Sequence, residues 1–221
     1  MADMKKPLDE GSIPSGPIGN MKFVKIENPK NFFDKEKEIL NQTIEVVRDA
    51  FASPMGFEDV YQHLTIPEKV YLLFNEEKVI GMGSYSQKVF SGIPVLTTDG
   101  IAIKEDFQGK GVFNELTNLV LNGERVICLR TQNPHMYLAL EKKCKIVYPN
   151  ENIEIPEALK LVRNEYGNFL NCELDEFGIA RKFYGKSLYG KIKFHPRISK
   201  LFEQMKMNIS AGDALIVTGV R

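Results

Sequence analysis

The densest chemistry in the chain lies between Ile101 and Phe113, which reads Ile-Ala-Ile-Lys-Glu-Asp-Phe-Gln-Gly-Lys-Gly-Val-Phe. An apolar strand ends there, and a turn holding Gly109 and Gly111 opens a helix. Glycine lets the backbone approach a ligand closely, and the first N–H groups of a helix have no partner of their own. The helix dipole adds partial positive charge, so the stretch from Gln108 through Gly109, Lys110, Gly111, Val112 and Phe113 to Asn114 suits phosphate oxygens. Lys110 could add a full charge. An isolated Gly-x-Gly also serves merely to ease a turn. The segment is not a P-loop, which needs an earlier Gly and a Ser or Thr after Gly-Lys. Nor is it the six-residue dinucleotide fingerprint.

Three other groups of residues invite a chemical reading. Arg130, Gln132 and Asn133 follow the apolar strand Arg125–Leu129, and residues at such strand ends line ligand crevices in α/β sheets; Asn133 before Pro134 equally reads as a helix cap. Between Arg181 and Lys206 eight Lys or Arg face a single acid, Glu203, with Phe183, Tyr184, Tyr189, Phe194 and Phe202 interleaved. That pattern fits nucleic-acid binding through cations and stacked rings. It also fits a surface segment whose rings pack inward, the reading favoured here. His63, His135 and His195 are isolated, so no metal site is expected.

The elements that must position these residues follow from periodicity. Residues 1–20, rich in Gly, Pro and Ser, read as a flexible leader. Met21–Ile26 alternates like a strand, and Asn31–Phe51 carries apolar residues at helical spacing, with a short helix over Phe57–His63. Lys69–Ser86 forms two strands with a turn at residues 75–77, and Pro94–Ile103 adds a third, giving an antiparallel meander. Helices are expected over Val112–Leu121 and Pro134–Lys143, flanking the short strand at Arg125–Leu129. That strand must return beside an earlier one, so the sheet is mixed, with a parallel pair. Residues 151–211 read as an insertion or C-terminal elaboration with helices at Ile155–Tyr166 and Ile198–Met207, before a last buried strand, Ala214–Val220.

The 221 residues carry a formal net charge of zero, which argues against wholesale coating of a polyanion. Cys128, Cys144 and Cys172 lack paired spacing, so reduced thiols and a cytoplasmic setting are expected. No apolar run is long enough to span a bilayer, and no hydrophobic stretch follows the N-terminal lysines.

The loop then becomes more specific. It resembles motif A of the GCN5-related N-acetyltransferases, Gln/Arg-x-x-Gly-x-Gly/Ala after a central strand: Gln108 and Gly111 match, and Phe113 stands where the family has Gly or Ala. The element order from Met21 to Tyr148 is similar to that fold too, with Ala214–Val220 as its final strand. The resemblance implies an α/β fold, a mixed, mostly antiparallel central sheet flanked by helices (acyl-CoA N-acyltransferase-like), forming a single domain over 21–221 with a helical insertion before the last strand.

It implies acetyl-CoA as cosubstrate and an amine as acceptor, with direct attack in a ternary complex. Backbone N–H groups of Gln108–Asn114 would hold the pyrophosphate. Ile101 and Ile103 would offer their backbone to pantetheine where the fourth and fifth strands splay, with Asn133 nearby. A carboxylate on the fourth strand often serves as base in that family, which points to Asp99, beside Thr97 and Thr98; Asp99 could instead turn with Gly100 in a bulge. The family's thiolate-protonating Tyr falls on Leu140 when Asn133 is aligned, and Tyr137, one turn earlier, is the substitute, unless it packs in the core. A module that keeps the fold without catalysis, and an RNA-associated protein using residues 181–206, are the other readings. Neither the acceptor nor the oligomeric state is written in these residues.

Overall fold

A computed structural model describes residues 21–221; the expected leader, residues 1–20, lies outside the described residues. These form an eight-stranded sheet in the order β1-β2-β3-β4-β5-β8-β6, with β7 also paired to β8. The strands are β1 Met21–Ile26, β2 Lys69–Asn75, β3 Lys78–Phe90, β4 Ile93–Ile103, β5 Val126–Thr131, β6 Ile146–Tyr148, β7 Ile179–Ala180 and β8 Ala214–Val220. The helices are α1 Pro29–Lys35, α2 Lys37–Phe51, α3 Phe57–Thr65, α4 Val112–Val120, α5 Pro134–Glu141, α6 Glu157–Phe169 and α7 Pro196–Gln204. The fold is thus mixed, mostly antiparallel α/β, as the sequence led us to expect. The chain divides into two compact units, and β3 and β4 contribute residues to each.

The first unit holds residues up to Ala50, Pro54–Tyr85 and Gly100–Val112. Antiparallel β1 and β2 register from Met21↔Asn75 to Ile26↔Val70, and β2 pairs β3 with a bulge between Leu73 and Phe74. Helix α2 buries Leu40, Ile44 and Val47, the i, i+4, i+7 stripe that its sequence specifies, and Val46 beside them. The single helix expected over Asn31–Phe51 is two. The break falls at Glu36, whose N–H closes α1 on the Phe32 carbonyl at 2.8 Å and whose carbonyl receives Leu40 N at 3.0 Å to start α2.

The second unit holds Phe51–Ser53, Ser86–Asp99 and Phe113–Arg221. Strand β4 pairs β5 in parallel from Val95↔Val126 to Thr98↔Leu129, and β5 pairs β8 antiparallel from Val126↔Val220 to Thr131↔Leu215. Alternate residues face opposite sides of a sheet, so Thr97, Asp99, Cys128 and Arg130 share one face. On that face Val95, Cys128 and Ile216 pack with Leu159, Val162 and Tyr166 of α6.

Two elements went unforeseen, β6 and β7, both of which pair with β8. They are too short to alternate visibly. The helical insertion reduces to α6 and α7. Asn171, Gly178, Lys182 and Gly185 all have φ between 53° and 86°, and left-handed residues cannot continue a right-handed helix.

Candidate functional site

The loop after β4 is stitched before it opens. Lys104 N donates to the Ile80 carbonyl at 2.9 Å, and Glu105 N donates to the Asp49 carboxylate of α2 at 3.0 Å. One 3-10 turn, Glu105–Phe107, follows. Gln108 then closes it twice: its N–H donates to the Glu105 carbonyl at 3.1 Å and its side chain to the Ile103 carbonyl at 2.8 Å. The two fixed points leave Gln108–Gly111 exposed between them, with the Lys110 ammonium over the Phe107 ring at 5.1 Å.

Gly109 and Gly111 have φ of +74° and +82°, and a Cβ on either would meet nothing within 4 Å. Glycine is required there by backbone sign rather than by crowding. Gly111 leads directly into α4, whose first N–H groups lack helical acceptors. Of the donors expected from Gln108 to Asn114, the Gln108 N–H is already bound within the loop, which leaves Gly109, Lys110, Gly111, Val112, Phe113 and Asn114. Ile101 and Ile103 are half-buried, and the Ile103 carbonyl is likewise occupied by Gln108.

Phe113 does not sit in the loop's open part; only 7% exposed, it is a core side chain. Phe113→Ala should therefore cost about 3–5 kcal/mol of stability through cavity formation. Thermal unfolding checks this.

Asp99 lies inside strand β4 rather than in a turn. Ser86 Oγ donates to one carboxylate oxygen at 2.6 Å and Thr97 Oγ1 to the other at 3.0 Å. Burial pushes the Asp99 carboxyl above its ordinary value, outweighing those two hydrogen bonds and the nearby Arg130 charge. Arg130 donates from Nη2 to the Asp99 main-chain carbonyl at 3.3 Å and from Nε to the Tyr184 hydroxyl at 3.1 Å. Its guanidinium also lies over the Phe183 ring, 5.5 Å from the centroid. A carboxylate with a raised proton affinity, held by two hydroxyls next to a guanidinium, is suited to taking a proton from a bound group.

Other expected residues have structural tasks. Tyr137 is 1% exposed and donates its hydroxyl to the Pro149 carbonyl, with the Val147 carbonyl at 3.5 Å. Burial also drives its proton affinity up. It belongs to the core and is unsuited to be the acid, as is fully buried Leu140. Asn133 caps α5, its Oδ1 accepting His135 N at 2.9 Å. Gln132 binds the Asp213 and Ile209 carbonyls and accepts Leu188 N at 2.8 Å, so it fastens two loops.

Burial pushes the Cys128 and Cys144 thiols up to about 12 and about 11, so neither is an activated nucleophile. Among the described residues no group of three or more His, Cys, Asp or Glu is placed to hold a metal ion.

In the basic segment most rings pack against neighbours, while seven of the eight cations are exposed. Arg181 pairs with Asp175 and Asp213, and Arg197 with Glu141. Tyr189 stacks on Phe51, Phe183 packs edge-on to Tyr184, and Phe202 is buried, while Phe194 stays 68% exposed. One open ring does not make the series of stacking platforms that single-stranded nucleic acid uses. Ser86 and Tyr166 escaped the sequence reading, which named Tyr184 only among the rings of the basic segment.

No protein-family model matches the chain, and no curated protein matches it. Solved structures do. An IAA acetyltransferase from Bacillus cereus ATCC 14579 is 14% identical, covers 91% of this chain and all of its own, and superposes with a TM-score of 0.47. An aminoglycoside acetyltransferase from an uncultured soil metagenomic sample, in complex with sisomicin, is 14% identical over 62% of this chain and 94% of its own, with a TM-score of 0.40. A GCN5-related N-acetyltransferase from Kribbella flavida is 14% identical with a TM-score of 0.37; the match takes in 54% of this chain and 32% of that protein's length. These likenesses are distant, and they concern the arrangement of strands and helices.

Proposed function

We propose that the chain is an acetyl-CoA-dependent N-acetyltransferase acting by direct attack of an amine in a ternary complex. One observation carries this reading: the course of β4. Its parallel pairing with β5 ends at Thr98↔Leu129, while β4 runs on to Ile103. From Asp99 onward the strand thus supplies, in order, a carboxylate, backbone groups on the side that β5 has left, and a glycine loop opening α4. A base, a template for an extended amide arm and a cradle for a pyrophosphate are the three things acetyl-CoA and an amine require.

In this reading the N–H groups of residues 109–114 bind the pyrophosphate oxygens, and the backbone at Ile101 and Ile103 aligns pantetheine. The amine nitrogen attacks the thioester carbonyl carbon, the C–N bond forms, and the C–S bond breaks to release the thiolate. A strand N–H stabilises the charge that develops on the carbonyl oxygen. Asp99 takes the proton that the nitrogen loses, directly or through water. With Tyr137 held in the core, solvent returns a proton to the thiolate. The three free cysteines accord with a cytoplasmic setting, and no described helix is long and apolar enough to cross a membrane.

The sequestered Tyr137 is the observation that favours the other reading, a module that binds the coenzyme without turnover. Release of free thiol from acetyl-CoA in the presence of an amine panel separates the two. We expect amine-dependent release; binding of acetyl-CoA with no release from any amine would favour the module.

A further inference from the structure

Hydrogen-bond donors gather around Arg130 in the second unit. Tyr166 of α6 is 0% exposed, and its hydroxyl has no hydrogen-bond partner among the described residues. Tyr166 packs in one cluster with Cys128 and Ile216. Cys128 lies two residues before Arg130 on the same face of β5, and Ile216 is the cross-strand neighbour of Arg130 on β8. Tyr166 thus packs against the residues that flank Arg130 on the sheet, and the two interact electrostatically. On another side stands Tyr184, whose oxygen accepts from Arg130 Nε and so turns its own proton elsewhere.

Burying a hydroxyl without a partner is costly. A site that keeps such a donor beside a second phenol and a guanidinium is arranged for an acceptor-rich guest. The guanidinium charge favours a carboxylate as that guest. Next to this group, through the 3.3 Å contact of Arg130 with the Asp99 carbonyl, lies the carboxylate assigned above as base.

We infer that the acyl acceptor is a small amino acid or close analogue, its amine directed to Asp99 and its carboxylate held by Arg130 with the hydroxyls of Tyr166 and Tyr184. This rests on the acetyltransferase reading and narrows its substrate class. Amine and carboxylate recognition groups on one strand pair, linked through the contact of Arg130 with the Asp99 carbonyl, match a molecule carrying both charges a few bonds apart.

The test uses the full chain with acetyl-CoA and matched pairs of acceptors that differ only in the carboxylate: phenylalanine against phenethylamine, lysine against cadaverine, histidine against histamine. Thiol release gives kcat and KM, and thermal unfolding with acetyl-CoA alone reports the premise. We expect release with at least one amino acid and kcat/KM at least about 100-fold lower for its decarboxylated partner, the scale of one lost charged recognition contact. Arg130→Gln should erase that preference while keeping the acetyl-CoA shift.

Tyr166→Phe guards against a folding defect in the first variant. It removes an unpartnered buried hydroxyl, so its midpoint should hold or rise while KM for the amino acid rises about 10-fold or more. Equal or better use of the decarboxylated amines overturns the inference and leaves the acetyltransferase reading intact. So does an acetyl-CoA shift with no release from either member of any pair. Absence of the acetyl-CoA shift overturns the reading beneath it.

Discussion

Asp99→Asn should lower kcat/KM for acetyl transfer by about 100- to 10,000-fold, the range for loss of a general base. Binding of acetyl-CoA should change little. The substitution preserves shape; the amide oxygen accepts from one of Ser86 and Thr97, and the amide NH2 donates to the other hydroxyl once that hydroxyl turns, so a large loss would reflect the missing proton acceptor.

The pH dependence gives an independent sign. Burial raises the Asp99 carboxyl above its ordinary value, so the acid limb of the wild-type profile should lie above the usual carboxylate range and vanish in the variant. For stability, a carboxyl raised on folding contributes fully below its unfolded pKa, and that contribution is lost as pH rises through the folded value. Asp99→Asn should therefore gain stability relative to wild type as pH climbs through the raised pKa. Midpoints of both proteins across pH 4 to 8, an interval chosen about the ordinary carboxylate value, check this. A constant offset would mean that Asp99 titrates normally and that its burial has no bearing on proton transfer.

The second large effect is expected at Gly111. With φ at +82°, a β-branched residue is strained there by about 1–3 kcal/mol, and the loop must relieve that strain by turning its N–H groups. Gly111→Val should lose acetyl-CoA affinity by 100-fold or more, about 2.7 kcal/mol. Gly92, at φ +75° in the β3–β4 turn, is the matched control. Gly92→Val carries the same kind of backbone penalty far along the chain from the loop, so it should lower the midpoint without weakening the coenzyme. Equal loss of acetyl-CoA binding in both variants would make Gly111 a residue of stability alone.

Much of this arrangement was legible in the residues because local signals agreed. Gly109 and Gly111 mark a break in strand periodicity directly before an amphipathic stretch, and β4, the loop and α4 follow at the expected places. The i, i+4 stripe of α2 and the unbroken apolar run of β8 are equally direct. What stayed hidden depends on tertiary contact. The cap formed by Asn133 was one of two stated options, and only the fold chooses between them. Tyr137 has helical spacing that fits either a cleft or a core; the carbonyls of Val147 and Pro149, ten and twelve residues onward, decide it. Phe113 departs from the small residue of the resembled motif, and only the fold shows that α4 turns it inward. Ser86, Arg130, Tyr166 and Tyr184 meet across β3, β5, α6 and an irregular segment, and no local pattern encodes such a meeting.

Acetyl-CoA binding by the full chain is the most direct test of the central claim. A ligand at 100 times its Kd adds about 2.7 kcal/mol to stability, roughly 5–10 °C in midpoint for a protein of this length. The account predicts a rise of that order with saturating acetyl-CoA. An unchanged midpoint at millimolar acetyl-CoA would contradict it, leaving the glycine loop as a turn and Asp99 as a buried acid with no proton to take.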